Sequence, residues 1–277
     1  MCRLPTFYLK KELSVPRGFS AYSRRVDDSM PSPTVPFDPL QRSQRTELLV
    51  MNGKKRLYSK YRAAPYYGGI ATADAVGCSF LCAYCWNYSR NEDPTRFGRF
   101  FSPENVAFKL LEIARKRSFS LFRVTGSEPI LGETSFNHLI DVIELILDAQ
   151  PGSNFILETN GLMLGYKKEL ARRLNLPRVL VRIAIKGVNP ESFEKISGAE
   201  RRFFRYPLFA LRALEQMGVK AWPALMEDLF SELQIGDLKK TLRDQGINSN
   251  LELERMEAYP FVLENLKRRG IFYDRPL

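Results

Sequence analysis

Cysteine and histidine are scarce in this chain. It has four cysteines in 277 residues, and three of them, Cys78, Cys82 and Cys85, fall within the eight-residue stretch "CSFLCAYC". Only Cys2 stands apart, so a disulfide-rich scaffold and a second cysteine-built metal cluster are both excluded. A single histidine, His138, excludes a multi-histidine metal site. No window approaches the roughly 20 apolar residues that a membrane-spanning helix needs. The opening stretch "MCRLPTFYLKKELSVPRG" lacks the apolar core of a secretory signal. These absences give the expectation of a cytoplasmic chain with no membrane partner. In that compartment thiols stay reduced, and a tight cysteine cluster binds metal rather than forming disulfides.

What the chain does have is positive charge, unevenly spread. The net charge is +11, and residues 1–65 hold 13 Lys/Arg against 5 Asp/Glu. That asymmetry has two readings, a polyanionic partner or a solvated basic tail. Six prolines from Pro5 to Pro39 punctuate the same segment, and no sustained helical or strand period appears. Residues 1–65 are therefore expected to form a basic, Pro-rich, irregular N-terminal extension. Within "LYSKYRAAPYYGG" tyrosines alternate with Lys60 and Arg62, a pattern that suits stacking on nucleic acid or packing onto the main domain.

From about residue 68 the period becomes regular. "GIATADAV", "LFRVTG", "NFILETNG", "VLVRIAIKG", "VKAWPALM" and "NLELERMEAY" read as strands, with helices between them. Ser102 is an N-cap candidate with Pro103 at the first helical position, and Gly218 suits a helix C-terminus. Strict β–α alternation implies parallel strands joined by right-handed crossovers. A closed barrel needs eight such units in about 250 residues. Six strands over residues 66–256 predict instead a partial, open (β/α)6 TIM-like barrel of the α/β class, with a C-terminal tail over 257–277; a doubly wound sheet is the alternative. In either fold, ligand chemistry belongs at the carboxyl ends of the strands.

The chemistry-bearing residues fall at those ends. Three thiolates converging on a cubic iron–sulfur cluster leave one iron without a protein ligand, and an open metal position marks a catalytic site. The competing reading is a structural zinc site completed by Cys2 or His138. The second strand ends in Gly126, Ser127 and Glu128, where small residues admit close backbone approach and a carboxylate can meet a cation. The third ends in Glu158, Thr159 and Asn160, which can hydrogen-bond hydroxyls or an amino-acid head group. On the fourth, alternation puts Arg182, Ala184 and Lys186 on one face, a cationic surface for a carboxylate.

With these residues in place the sequence resembles the radical S-adenosylmethionine superfamily. "CSFLCAYC" matches its CxxxCxΦC signature, and "TGSEP" resembles its "GGEP" motif, with Ser127 in place of the second glycine. The resemblance implies a [4Fe–4S] cluster on Cys78, Cys82 and Cys85, and S-adenosylmethionine on its open iron. It implies that Gly126, Ser127 and Glu128 hold the methionine amino group and that Tyr84 packs near the adenine. Thr159 and Asn160 would meet the ribose and carboxylate, and Lys186, with Arg182, the methionine carboxylate. The implied reaction is reductive cleavage of the cofactor to a 5′-deoxyadenosyl radical that abstracts hydrogen from a substrate. A flavodoxin- or ferredoxin-like donor would supply the electron. The family's core is a partial barrel, and the absence of further cysteines sets the chain apart from members with auxiliary clusters.

For the substrate, the basic N-terminal segment, residues 57–62 and "LKRRG" near the C-terminus point to RNA, with tRNA modification as the expected task. The alternatives are a protein partner, as for a glycyl-radical activase, and a small metabolite. A non-enzyme, a zinc or iron–sulfur protein that binds nucleic acid, is the reading from another class.

Overall fold

The computed structural model describes residues 33–273, so Cys2 and the first prolines lie outside the described residues. The chain runs α1 (Pro39–Val50), β1 (Met51–Asn52), β2 (Lys55–Ala64), β3 (Ile70–Ala75), α2 (Tyr88–Glu92), β4 (Arg99–Phe101), α3 (Pro103–Arg117), β5 (Leu121–Thr125), α4 (Glu133–Ala149), β6 (Asn154–Thr159), α5 (Leu162–Tyr166), α6 (Lys168–Arg172), β7 (Val179–Ile185), α7 (Pro190–Ser197), α8 (Arg205–Gln216), β8 (Lys220–Met226), α9 (Glu232–Asp244), β9 (Glu252–Glu254) and α10 (Pro260–Arg268).

One sheet holds the strands in the order β1-β2-β3-β5-β6-β7-β8-β9, with β4 on β2. The six strands from β3 to β9 are parallel, and β2 joins β3 antiparallel. The sheet does not close, so the expected open, partial (β/α)6 barrel is the fold, and all six expected strands are its staves. Side chains alternate as the pleat dictates. On β7, Val179, Val181, Ile183 and Ile185 turn to the helices and join the main core, while Arg182, Ala184 and Lys186 face the lumen. The helices close over the convex face with the stripes their spacing predicts, Val106, Leu110 and Ala114 buried and Ile113 half-buried on α3, and Phe136, Leu139, Ile140 and Ile143 on α4. Ser102 caps α3, its hydroxyl accepting from the Asn105 N–H at 3.4 Å, and Gly218 follows α8 with φ +73°.

The irregular extension expected over residues 1–65 is corrected in its described part. Asp38 accepts from the N–H groups of Leu40 (2.8 Å) and Gln41 (3.1 Å), and Pro39 takes the first helical position, so a proline read as a loop signal starts α1 instead. The buried side of α1 consists of Pro39, Arg42, Ser43, Thr46 and Val50, so no apolar period announces the helix. After it, β2 runs along β3 from Tyr58 to Ala64. Tyr58 is buried with its hydroxyl on His138, and Tyr61 stacks on Tyr58 and meets Phe101 edge-on. Those tyrosines pack the segment onto the barrel. In the tail, α10 packs Val262 and Leu266 with Ala83 and Met256. Among the described residues no helix is long and apolar enough to cross a membrane.

Candidate active site

Because β3, β5, β6 and β7 are neighbours in the sheet, the loops after their carboxyl ends lie side by side. One cavity of about 780 Å³ occupies the lumen there. Cys78, Cys82, Cys85, Tyr84, Gly126, Ser127, Glu128, Thr159, Asn160, Arg182 and Lys186 all line it. Every site residue singled out from the sequence therefore meets in one space, from strand ends up to about 110 residues apart.

The cysteine loop leaves β3 through Gly77, whose φ is +88° and whose added Cβ would lie 2.6 Å from the Thr46 methyl of α1. Only glycine fits there. Downstream, Leu81 N–H donates to Ser197 O (3.0 Å) and Ala83 N–H to Ile196 O (2.8 Å), so the end of α7 holds the loop in shape. The three cysteines are free thiols. Phe80 N–H points at Cys78 Sγ (3.4 Å), and Asn91 Nδ2 at Cys85 Sγ (3.5 Å). Such N–H groups around sulfur are the contacts that tune iron–sulfur clusters. Burial pushes all three thiols up, Cys82 to about 12, against the opposing pull of Lys186 on Cys82 and Cys85. Three free thiols on one cavity wall, with N–H donors aimed at the sulfurs of Cys78 and Cys85, fit a cluster whose irons each take a different cysteine.

The zinc alternative finds no fourth ligand in His138. Among the described residues no three His, Cys, Asp or Glu side chains group as a single-ion site. His138 is buried on α4, where its Nδ1–H donates to Lys54 O (2.8 Å) and its Nε2 accepts from the Tyr58 hydroxyl (3.1 Å). Both ring nitrogens are committed away from the cysteines. Cys2 lies outside the described residues.

The Gly126–Glu128 turn is built from several directions. Gly126 has φ +84°, and a Cβ there would meet Asp74 Cβ at 2.9 Å. Asn87 Nδ2 donates to Gly126 O, and Ser127 Oγ donates to Asn91 Oδ1 (2.6 Å). Glu128 is 2% exposed, and both of its oxygens are engaged within the protein. Oε1 accepts from Ile130 N–H (2.9 Å) and Thr159 Oγ1 (2.7 Å), and Oε2 from Asn160 N–H (2.8 Å). Its carboxylate thus ties the second strand end to the third. Asn160 in turn donates from Nδ2 to Ser79 Oγ (2.8 Å), linking the third strand end to the cysteine loop.

The two expected cations have different surroundings. Arg182 is enclosed by carboxylates, with Nε on Glu252 (3.0 Å) and Nη2 on Glu254 (2.6 Å). Its charge is already met from within. Lys186 has its Nζ 5.5 Å from the Tyr84 ring centroid, and no carboxylate pairs with it among the described residues. Burial works against its charge, but Tyr84, Cys82 and Glu254 outweigh burial and hold the ammonium above its ordinary range.

The sequence reading gives no role to Asp74, Arg123, Trp222 or Glu252, which also line or adjoin this lumen. Deeper in the lumen Arg62 pairs with Asp74 (2.8 Å) and Arg123 with Glu158 (2.6 Å), while Trp222 Nε1 donates to Glu252. For two of them the signal was there, since Asp74 follows Thr72, and Arg123 precedes Thr125, at alternate positions of otherwise apolar strands. Arg56 on β2, 1% exposed, donates from Nη2 to Glu128 O (2.7 Å) and supports the turn from behind. Asn87 and Asn91 carried no pattern that would single them out.

Residues 74–243 match the Radical SAM superfamily. The GTP 3′,8-cyclase of Crocosphaera subtropica is 27% identical over 124 residues, 45% of this chain and 35% of that protein. The probable GTP 3′,8-cyclase of Pyrobaculum aerophilum is 26% identical over 142 residues, 51% of this chain and 42% of the relative. The matches thus span between a third and a half of the length of these curated relatives. Among solved structures, Streptococcus suis SuiB bound to S-adenosylmethionine superposes with a TM-score of 0.53 at 15% identity, covering 70% of this chain and 44% of that one. SuiB bound to its precursor peptide SuiA gives the same TM-score and identity, over 70% and 42%. At that identity the likeness concerns the fold.

Proposed function

The chain belongs to the radical S-adenosylmethionine superfamily, whose cofactors are a [4Fe–4S] cluster and S-adenosylmethionine, and from that premise we propose how its own residues divide the work. Cys78, Cys82 and Cys85 hold the cluster. When bound, the two cofactors supply a one-electron cleavage that yields methionine and a 5′-deoxyadenosyl radical, which takes hydrogen from the substrate. Lys186, the lumen cation left without a carboxylate partner among the described residues, receives the methionine carboxylate. Arg182, saturated by Glu252 and Glu254, shapes the lumen instead. Gly126 and Ser127 offer backbone groups to the methionine amino group. Glu128 serves that contact mainly by fixing Thr159 and Asn160, which face the ribose and carboxylate, and Tyr84 packs the adenine.

The observation that carries this reading is the meeting of all eleven predicted residues on the wall of one cavity. Family enzymes need a reductant, and a flavodoxin- or ferredoxin-like protein in the reducing cytoplasm fits. The substrate class we propose is a nucleotide, free or within RNA. Trp86 and Tyr259 line the cavity with 43% and 47% of their surface exposed, beside Lys60, Arg90 and Arg255. Aromatic faces stack on bases and cations meet phosphates. The curated relatives are named for GTP, a purine nucleotide.

The test is anaerobic reconstitution with iron and sulfide, followed by dithionite and S-adenosylmethionine. Wild type should take up about four irons per chain and release 5′-deoxyadenosine, measured by chromatography. Cys82→Ala should do neither. A wild type that binds zinc and no iron, or a Cys82→Ala variant as active as wild type, sinks the reading.

A further inference from the structure

Arg42 is a buried cation that the fold leaves incompletely paired. It sits on α1, outside the 74–243 stretch that matches the family, and is only 4% exposed. Its Nη2 donates to Asn91 O, and the guanidinium carbon lies 5.6 Å from the Phe37 ring centroid. Its Nε and Nη1 are buried without a hydrogen-bond partner among the described residues. Burial draws its pKa down to about 10, and the acidic groups that oppose this are Cys78, then Tyr88 and Glu92. A guanidinium normally donates all five of its hydrogens when buried, because leaving charge unmet in a poorly solvated interior is costly. Two nitrogens left over are therefore informative.

Arg42's neighbours lead to the cysteine loop. Asn91, which accepts from Arg42 through its carbonyl, donates through Nδ2 to Cys85 Sγ at 3.5 Å. The same α1 packs Thr46 and Val50 against Gly77, the residue before Cys78. α1 thus delivers a positive charge to the back of the loop that carries the three thiols. A four-iron cluster on three thiolates carries net negative charge and gains another unit on reduction. In a low-dielectric interior a fixed cation favours the more negative state.

We infer that Arg42 is the cluster's counter-charge, a positioning residue supplied from outside the common barrel, which makes the cluster easier to reduce. The inference rests on the proposed cluster site. It predicts that the neutral variant Arg42→Met binds a cluster of lower reduction potential, while Arg42→Lys keeps the potential of wild type.

The experiment uses the full chain, reconstituted anaerobically, without S-adenosylmethionine. Iron per chain is measured first, then the EPR signal of the reduced cluster in a dithionite-driven redox titration. For Arg42→Met the ratio of reduced to oxidised cluster at a fixed solution potential should fall about tenfold, equal to about 59 mV for one electron. Arg42→Lys should stay within about threefold of wild type, since it keeps the unit charge. An unchanged potential in an iron-replete Arg42→Met overturns the inference, as does an Arg42→Lys shifted as far as Arg42→Met, because shape rather than charge then matters. If Arg42→Met assembles no cluster, Arg42→Lys decides alone. A full cluster at the wild-type potential supports the inference, and failure to assemble assigns Arg42 to packing. A wild type that takes up no cluster refutes the site itself, a result distinct from a wild-type cluster indifferent to Arg42.

Discussion

Glu128 shows how a residue read as a ligand can do its work through the protein. Its two oxygens accept two backbone N–H groups and one hydroxyl, and its backbone carbonyl receives Arg56. Gln in its place is nearly isosteric, but its amide NH2 would face an N–H donor on one side or the other. We predict that Glu128→Gln lowers the stability of the cluster-free chain by about 1–3 kcal/mol, the cost of leaving a buried donor unmet. Urea denaturation of apo wild type and variant measures it. Equal midpoints would mean that the carboxylate matters only once a cofactor is bound. The site was legible to this extent because strand alternation and strand-end position are fixed by the pleat, which put Cys78, Thr159 and Lys186 in one space without further information. What alternation cannot give is the partner of each group. Arg182 and Lys186 look equivalent in "RIAIKG", and only the arrival of Glu252 and Glu254 from β9, about 70 residues on, separates them.

Among the elements, the long ones with an apolar face were legible, and those that are short or bury polar residues were not. α3 and α4 announce themselves by spacing. α1 buries Arg42, Ser43 and Thr46, so its sequence resembles a solvated loop. The stretch "YKKELARRL" reads as one helix, but it holds only the short α6, with the equally short α5 ahead of it. α5 buries the compact run Leu162–Gly165 against α8, where Gly165 lies so close to Tyr206 O that no Cβ would fit. His138 is the clamp between β2 and α4, and burial pushes its pKa down to about 4 from 6.5. The folded state therefore resists the proton that the unfolded chain accepts. Stability contributed by neutral His138 is complete above about pH 6.5 and is lost as pH falls toward about 4. Between pH 7 and pH 5 the loss should be about 2 kcal/mol. His138→Gln should start less stable at pH 7, having lost its fitted bonds to Lys54 and Tyr58, yet decline less over the same range. Urea midpoints at the two pH values for both proteins check this, and parallel declines would place the acid sensitivity elsewhere.

At the scale of the whole molecule, the charge excess means less than its arithmetic suggests. Arg42 and Arg56 are interior, Arg62 is spent on Asp74, Arg268 pairs with Glu264, and Arg269 donates to Leu81 O behind the cysteine loop. A basic composition thus served partly to brace a loop of thiols, which no count of Lys and Arg can distinguish from a polyanion-binding face. Apart from Lys186, kept for the methionine carboxylate, the cations left at the cavity are Lys60, Arg90 and Arg255, the last held by Glu227 only at 3.5 Å, with residues 1–32 and 274–277 outside the described structure. If RNA is the substrate, contacts from those three alone give a slope of log K against log salt of about −2 to −3, at about 0.7–0.9 per phosphate. Lys60→Gln combined with Arg255→Gln should flatten that slope by about 1.4–1.8. Fluorescence anisotropy with bulk tRNA between 50 and 200 mM salt, compared with GTP as competitor, measures both. A steep slope that the double variant flattens assigns the cavity mouth to RNA. GTP that displaces tRNA at the same site makes the shared nucleotide the recognised unit. A slope near zero removes nucleic acid and leaves a small metabolite or a protein as the hydrogen donor.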